Sequence, residues 1–393
     1  MTRPPLDGLT VVSLEHAVAA PFATRQLADL GARVIKVERP GTGDFARGYD
    51  EAVHGLSSYF VWLNRSKESI TVDLKRDAGL EVVDRLVARA DVFMHNLGPG
   101  AVERLGLGPE VLARRFPRLI DCSITGYGET GEWKDRRSYD LLVQAEAGLL
   151  DVTGTEELRA RVGISVADIA AGMYAYSGVL GALLVRARDG SAPRVTVSLF
   201  EALCEWMSQP MLYGSYSGRP PQRTGPFHAT IAPYGPYAAS DGLVMLAVQN
   251  DREWARFCEQ VLGRPELTED DRFATNPARV AHRSELTAAV EAVTSRLTVA
   301  EADERFDRAR IAHGRLSGIL ELAANPALNS RDRWRDVATP GGTARVLRPP
   351  ADLDGVEVPM AAVPALGENT DAILNELGYS APEVAHLHHE GLV

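Results

Sequence analysis

The chain has little cysteine, no excess of positive charge and no uncharged run of membrane length, and each shortage narrows what it can do. Three cysteines stand among 393 residues, Cys122, Cys204 and Cys258, far apart and with no C-x-x-C pair. An odd, scattered set fits reduced thiols in a cytoplasmic protein, not a disulfide framework or a cysteine zinc cluster. Acidic residues outnumber basic ones, 53 to 42, for a formal net charge of -11. Nucleic-acid binders show a basic patch or a high pI, so nucleic acid is an unlooked-for partner here. An anionic ligand would need a local basic pocket. The opening Met1-Thr2-Arg3-Pro4-Pro5 runs straight into a strand-like segment, without the charged, apolar and small-residue regions of a signal peptide. Between Asp168 and Arg186 no formal charge occurs. That stretch falls short of the ~18 apolar residues of a membrane span. It also holds Gly172, Tyr174, Tyr176, Ser177, Gly178 and Gly181. It reads as a fully buried core helix, and no membrane association is expected.

What is present is a globular chain, 45% hydrophobic and 24% charged, long enough for about two or three domains. Its first part alternates strand and helix. Residues 10–15 and 33–38 read as strands around a helix over 21–30, which Gly31 terminates. A helix over 77–89 places Leu80, Val83, Leu86 and Val87 on one face. Residues 91–95 and 119–125 read as strands and 109–116 as a short helix. Such alternation implies an α/β fold with a mostly parallel sheet covered on both faces. Residues 214–226 are rich in Gly, Pro and Ser and read as a linker. Beyond it, 234–239 and 243–248 flank Asp241-Gly242 as a β-hairpin, with helices over 254–261 and 285–297. A second Gly/Pro-rich stretch, 340–350, precedes a last helix pattern at 370–377. These breaks give a large domain over 1–213, a linker over 214–230, a small α/β domain over 231–335, and 336–393 as a second linker with the end of the large domain.

Gly126-Tyr127-Gly128-Glu129-Thr130-Gly131 matches G-x-G-x-x-G after a strand. A dinucleotide site needs the motif to open an apolar-periodic helix. Trp133-Lys134-Asp135-Arg136-Arg137 follows instead, so NAD binding is not expected. Asp168 stands just before the apolar helix, where an aspartate would cap it. It is either a cap or a nucleophile that the helix N-terminus keeps ionised, and position alone does not choose. Lys36, Arg39, Lys67, Lys75, Arg104, Lys134, Arg136 and Arg137 are scattered over loops and strand ends. A subset meeting at the carboxyl ends of parallel strands would hold phosphates. His386, His388 and His389 read as a solvated tail, and no metal site is expected.

The pieces together resemble the class III CoA-transferases of the CaiB/BaiF type, which include formyl-CoA transferase and the α-methylacyl-CoA racemases. The matching segments are residues 5–11, 20–24 and 27–40, then Gly41-Thr42-Gly43-Asp44, Asn64-Arg65-Ser66-Lys67, Val72-Asp73-Leu74-Lys75 and Asn96-Leu97-Gly98-Pro99-Gly100. Gly126-Tyr127-Gly128, Tyr139-Asp140 and a closing Leu366-Gly367-Glu368-Asn369-Thr370-Asp371 complete the order, with Asn369 where the family usually has His. The resemblance implies a Rossmann-like large domain built from both ends of the chain, a smaller α/β domain, and an interlocked-ring homodimer. It implies transfer of coenzyme A from an acyl-CoA to a small carboxylic acid, with Asp168 as nucleophile and CoA as substrate. No permanently bound cofactor is implied. Its CoA-contacting positions fall on Ala19, Arg39, Val72, Asp73, Leu74, Lys75, Asn96, Leu97, Gly98, Arg104, Arg137, Ser138, Tyr139 and Asp140. Arg39 and Arg104 suit phosphates, because guanidinium groups pair with them bidentately; Lys75 and Arg137 are further candidates.

Within that resemblance, racemases place His before the Asp at the position of Tyr139. A phenol, with an ordinary pKa near 10, is a poor acid–base group at neutral pH, so transfer is favoured over racemisation. Formyl-CoA transferase carries Gln where this chain has Val18, and its poly-glycine loop is missing here. That points away from formate and oxalate, towards a dicarboxylate or branched acid with succinyl-CoA as donor. Arg47 and His228 are candidates to face the acid. A CoA-binding protein without chemistry is the alternative of another class.

Overall fold

The computed structural model describes residues 3–393. It divides into two compact units. One contains the chain up to Ala147, Gly163–Trp206 and Asn329–Val393; the other contains Gly148–Val162 and Met207–Leu328.

The first unit is built on six strands: β1 (Thr10–Leu14), β2 (Arg33–Glu38), β3 (Lys67–Thr71), β4 (Val92–His95), β5 (Ile120–Thr125) and β6 (Val195–Ser198). They lie in the order β3-β2-β1-β4-β5-β6, and every pairing is parallel. This is the doubly wound order, whose direction reverses between β1 and β4. All six carboxyl ends share one edge, and a crevice opens where the order reverses. The strands carry apolar residues on both faces because both are covered: Val11, Val12, Ile70, Phe93 and Ile120 are all buried.

The first helix, Ala19–Asp29, follows β1 and ends at Leu30 before Gly31. Gly31 has φ +96°, and a Cβ there would meet Pro4 Cβ at 2.4 Å. Only glycine fits that turn. The sheet core also includes Ile373, Leu374, Leu377, Val384 and Leu387 from the far end of the sequence. The end of the chain is therefore part of the same packed body. Asn369 fastens it to β3: its Oδ1 accepts from Ser69 N at 2.9 Å, and its own N–H donates to Ser69 O at 2.9 Å.

Several expectations need correction. His386, His388 and His389 lie on a helix, Ala381–His389, not on a tail; its Ser380–Glu383 capping box starts it, and His388 Nε2 meets Asp371 Oδ1 at 2.6 Å. The stretch 340–350 includes half of an antiparallel hairpin, Trp334–Thr339 with Gly342–Leu347, in which Pro340-Gly341 is the turn. The segment read as linker from Gly214 is helical as far as Ser217, in Ser208–Ser217. The long helix, Val166–Asp189, is not fully buried. Ala167, Ala170, Ala171, Gly172, Ala175, Val179 and Ala182 form its buried face, while Met173, Tyr174 and Leu184 are exposed.

The second unit contains the hairpin Tyr234–Ala238 and Leu243–Ala247, joined antiparallel by Ala312–Arg315. Helices Arg283–Thr294 and Val299–Ala309 belong to the same unit. Tyr237, Val244, Leu246, Trp254, Phe257 and Phe306 fill its core.

Candidate active site

The crevice between β1 and β4 is built from main-chain atoms held by side chains. After β1 the chain turns through His16 and Ala17. Asn96, just past β4, bridges that turn: its Oδ1 accepts from His16 N at 3.0 Å and its Nδ2 donates to His16 O at 2.8 Å. Ala17 has φ +61°, an unfavourable conformation for a residue with a side chain. Asp44 holds it there, accepting from Ala17 N at 3.1 Å and from Ala46 N at 2.9 Å. The first helix then begins at Ala19 beside the turn.

Beneath the turn lies a buried charge cluster. Lys36 Nζ donates to Asp44 at 2.8 Å and stands 3.4 Å from Glu15; Lys67 Nζ donates to Glu15 at 2.7 Å, to Pro21 O at 3.0 Å and to Asn64 Oδ1 at 3.1 Å. Burial alone would raise the carboxyl pKa of Glu15, but Lys67 and Lys36 outweigh it and hold it below the usual range. Burial lowers Lys67 to about 8. Lys36 and Lys67 are therefore spent inside the protein and cannot meet phosphates, which removes two of the eight basic residues singled out from the sequence.

Asp168 sits inside the first turn of the long helix, not before it. Ser165 occupies the cap position and makes no side-chain cap bond. The capping oxygen comes from Asp140: its Oδ1 accepts from Ala167 N at 2.8 Å and from Asp168 N at 3.3 Å, while Oδ2 accepts from Gln144 Nε2 at 2.6 Å. Asp140 thus fixes the backbone of the candidate nucleophile. The carboxylate of Asp168 has no hydrogen bond or ion pair among the described residues. The side chain is only half-buried, yet the surrounding protein strips enough water from it to matter. Burial, then the negative charge of Asp140, raises its pKa from 3.8 to about 7. Burial and Asp140 thus work against the helix N-terminus, which favours the ionised form.

Tyr49, which the sequence did not single out, feels the charge of Asp168. Burial, followed by the charges of Asp44 and Asp168, raises its phenol to about 12, so it stays protonated. Its ring packs edge-on to Tyr59 at 5.4 Å and against Phe45 at 5.8 Å. Its only sequence signal is that it follows the Gly43-Asp44 segment by a few residues. The long helix reaches the first helix closely because residue 172 is glycine: a Cβ there would lie 2.7 Å from Ala19 O.

The remaining predicted residues are distributed as follows. Ala19 is buried at the start of the first helix. Val72 is buried after β3, and Leu74 packs against the core. Asp73 Oδ1 accepts from Lys75 N at 3.0 Å. Leu97 is partly buried and Gly98 exposed. Arg39 directly follows β2 and Lys75 comes soon after β3, while Arg104 ends the short helix Ala101–Arg104 after β4 and Arg137 lies in the irregular segment after β5; all four are exposed. None forms a side-chain hydrogen bond or ion pair among the described residues. Arg136, by contrast, pairs with Glu146 at 2.5 Å. Ser138 packs where a Cβ on Gly126 would fall, 2.1 Å from its Oγ. Tyr139 is 69% exposed beside Asp140.

Of the two candidates for the acid carboxylate, Arg47 is already engaged. Arg47 is bound bidentately to Glu38 at 2.8 and 2.7 Å and lies 3.7 Å over the Phe60 ring. His228 belongs to the second unit and stacks on Tyr234 at 5.1 Å. The G-x-G-x-x-G segment opens no helix; irregular chain runs from Gly126 to Tyr139 before the helix Asp140–Glu146. No group of metal-ligating side chains occurs among the described residues.

Comparison with known proteins bears on the same residues. The model of "CoA-transferase family III" matches residues 6–370. A succinate–glutarate CoA-transferase from Agrobacterium fabrum is 34% identical, with 95% of this chain and 96% of that protein covered. An acetyl-CoA:oxalate CoA-transferase from Acetobacter aceti is 35% identical, with 96% and 97% covered. Among solved structures, a CaiB/BaiF family protein from Brucella suis superposes with TM-score 0.84 at 35% identity, covering 96% of this chain and all of that one. With the family model spanning nearly the whole sequence, the chain belongs to CoA-transferase family III and is an enzyme that transfers CoA between an acyl-CoA and a carboxylic acid.

Proposed function

We propose that this enzyme takes CoA from succinyl-CoA and passes it to a dicarboxylic or branched acid, with Asp168 as the covalent nucleophile. The observation that carries the reading is the carboxylate of Asp168, fixed through its own backbone by Asp140 yet unpaired at its oxygens. The succinate–glutarate relative supports the choice of donor and acceptor.

In the mechanism, an Asp168 oxygen attacks the thioester carbonyl, the C–S bond breaks, and CoA thiolate leaves a mixed anhydride. The thiolate attacks the Asp168 carbonyl of that anhydride. The donor leaves as a free acid, and an aspartyl-CoA thioester remains. The acceptor carboxylate attacks this thioester and expels thiolate, and thiolate then attacks the acceptor's acyl carbon. Acyl-CoA departs and the Asp168 carboxylate is restored. Each step exchanges one acyl bond for another, so the cycle needs no net proton transfer and no ATP. Asp168, poised near neutrality, is a stronger base than an ordinary aspartate. Tyr49, held protonated, can donate to an oxygen of the acid. Amides opening the first helix at Ala19 and Ala20 serve the oxyanion, since Val18 offers no polar side chain. Arg39, Lys75, Arg104 and Arg137 hold the CoA phosphates, and the main chain at Val72–Lys75, Asn96–Gly98 and Ser138–Asp140 lines its path.

The reading includes a homodimer in the cytoplasm. The exposed apolar residues Met173, Tyr174 and Leu184 on the long helix support a second copy as their cover. Mass spectrometry after incubation with succinyl-CoA and a hydroxylamine quench tests the chemistry. A modification mapping to Asp168, absent from Asp168→Ala, is the expected result. An unmodified Asp168 with succinyl-CoA and with a panel of other acyl-CoAs would remove the covalent route.

A further inference from the structure

Away from Asp168, the first unit has an open cavity of about 660 Å³ between the first helix, the segment around Trp62 and the hairpin Trp334–Thr339 with Gly342–Leu347. Its lining is mostly apolar but includes Arg345, Arg348 and a neighbouring pair, Arg25 and Arg65. Both are almost entirely buried, at 8% and 1% exposure. Together they have one carboxylate. Arg65 Nη2 takes both oxygens of Asp29 at 2.8 and 2.7 Å, which leaves Arg25 Nη1 3.9 Å from that group. Arg25 donates no hydrogen bond among the described residues, and the Nε atoms of Arg25 and Arg65 are both buried without a partner. Burial, then the neighbouring Arg65, lowers Arg25 to about 10, so it stays charged at neutral pH. Within this pair one positive charge is left over. A guanidinium out of water and without acceptors is strongly disfavoured.

The walls are of a different kind. Trp62 and Trp334 both line the cavity, and Trp334 Nε1 is a third buried donor without a partner. Arg345 lies 4.8 Å over the Trp334 ring. We infer that this cavity binds an organic anion, a carboxylate on a flat apolar body, with Arg25 and Arg65 taking the charge and the two tryptophans the body. Asp168 does not line it, so the site is separate from the acyl-transfer centre and does not depend on the proposed substrate.

Isothermal titration of the full chain with 4-phenylbutyrate tests this, with 4-phenylbutanol as the uncharged control. Saturable binding of the acid is expected, about tenfold or more tighter than the alcohol. Asp168→Ala should leave it unchanged. Arg25→Gln should weaken it about tenfold without lowering the thermal midpoint, because an uncompensated buried charge has been removed. Arg345→Gln, at the cavity wall, provides a second variant should the first fail to fold. No saturable binding, equal binding of the alcohol, or loss of binding in Asp168→Ala would overturn the inference. So would a change in oligomeric state on Arg25→Gln with ligand binding unaltered, which would assign the cavity to a contact between copies.

Discussion

The cluster beneath β1 and the start of the long helix both gather buried charge, and they treat it in opposite ways. In the first, Glu15 lies between Lys36 and Lys67, and Lys36 turns also to Asp44. Opposite charges meet, and the cluster holds a strained turn in place. In the second, the charged neighbour of Asp168 among the described residues is Asp140, and like meets like. One arrangement makes a rigid frame. The other leaves a carboxylate high in energy where the frame needs it.

Changes at each place should have different signatures. Asp168→Asn is expected to abolish transfer, about 10⁴-fold or more, with loss of the adduct seen by mass spectrometry. The same change should stabilise the protein at pH 8. Asp168 holds its proton more tightly when folded, with the pKa raised from 3.8 to about 7, so the wild-type residue subtracts stability as pH rises through that interval. Relief on the order of 2–4 kcal/mol is expected by urea denaturation at pH 8 and none near pH 3. Lys67→Met, in the matched cluster, should do the reverse and cost about 3–5 kcal/mol by strandinging a buried carboxylate; equal stability in the denaturation curve would show that Lys36 alone suffices. Arg39→Ala should raise KM for the CoA substrate about tenfold with kcat little changed, the mark of lost uniform binding. Asp140→Asn keeps an oxygen for the two amides but removes the charge. The acid limb of kcat against pH should move down by about one unit, and an unmoved limb would make Asp140 a cap only.

Legibility followed the range of the interactions. The strands over Arg33–Glu38 and Ile120–Thr125 were visible because their apolar runs end at polar residues. β3 was not, since Lys67-Glu68-Ser69 reads as surface. Its lysine is buried by Glu15, a partner 52 residues away. The helix Ala381–His389 was hidden by its three histidines, although Ser380 and Glu383 carried the capping signal. Asp168 was singled out, with cap and nucleophile both left open, but it is not the residue that caps the helix. Asp140 performs that task from 27 residues away, and spacing along a chain does not reveal it. The phosphate candidates sorted themselves only once ion pairs were visible: exposure with no partner among the described residues separates Arg39, Lys75, Arg104, Lys134 and Arg137 from Lys36, Lys67 and Arg136.

The contact at Gly172 sets a dimension for everything above it. Backbone meets backbone there, since a Cβ would lie 2.7 Å from Ala19 O, and Asp168 stands one helical turn away. The missing side chain works as a gauge block of zero thickness, fixing the clearance between the nucleophile's helix and the helix that opens at Ala19. A single methyl group would act as a shim, and the opening it made would be felt by whatever acyl group has to fit in between.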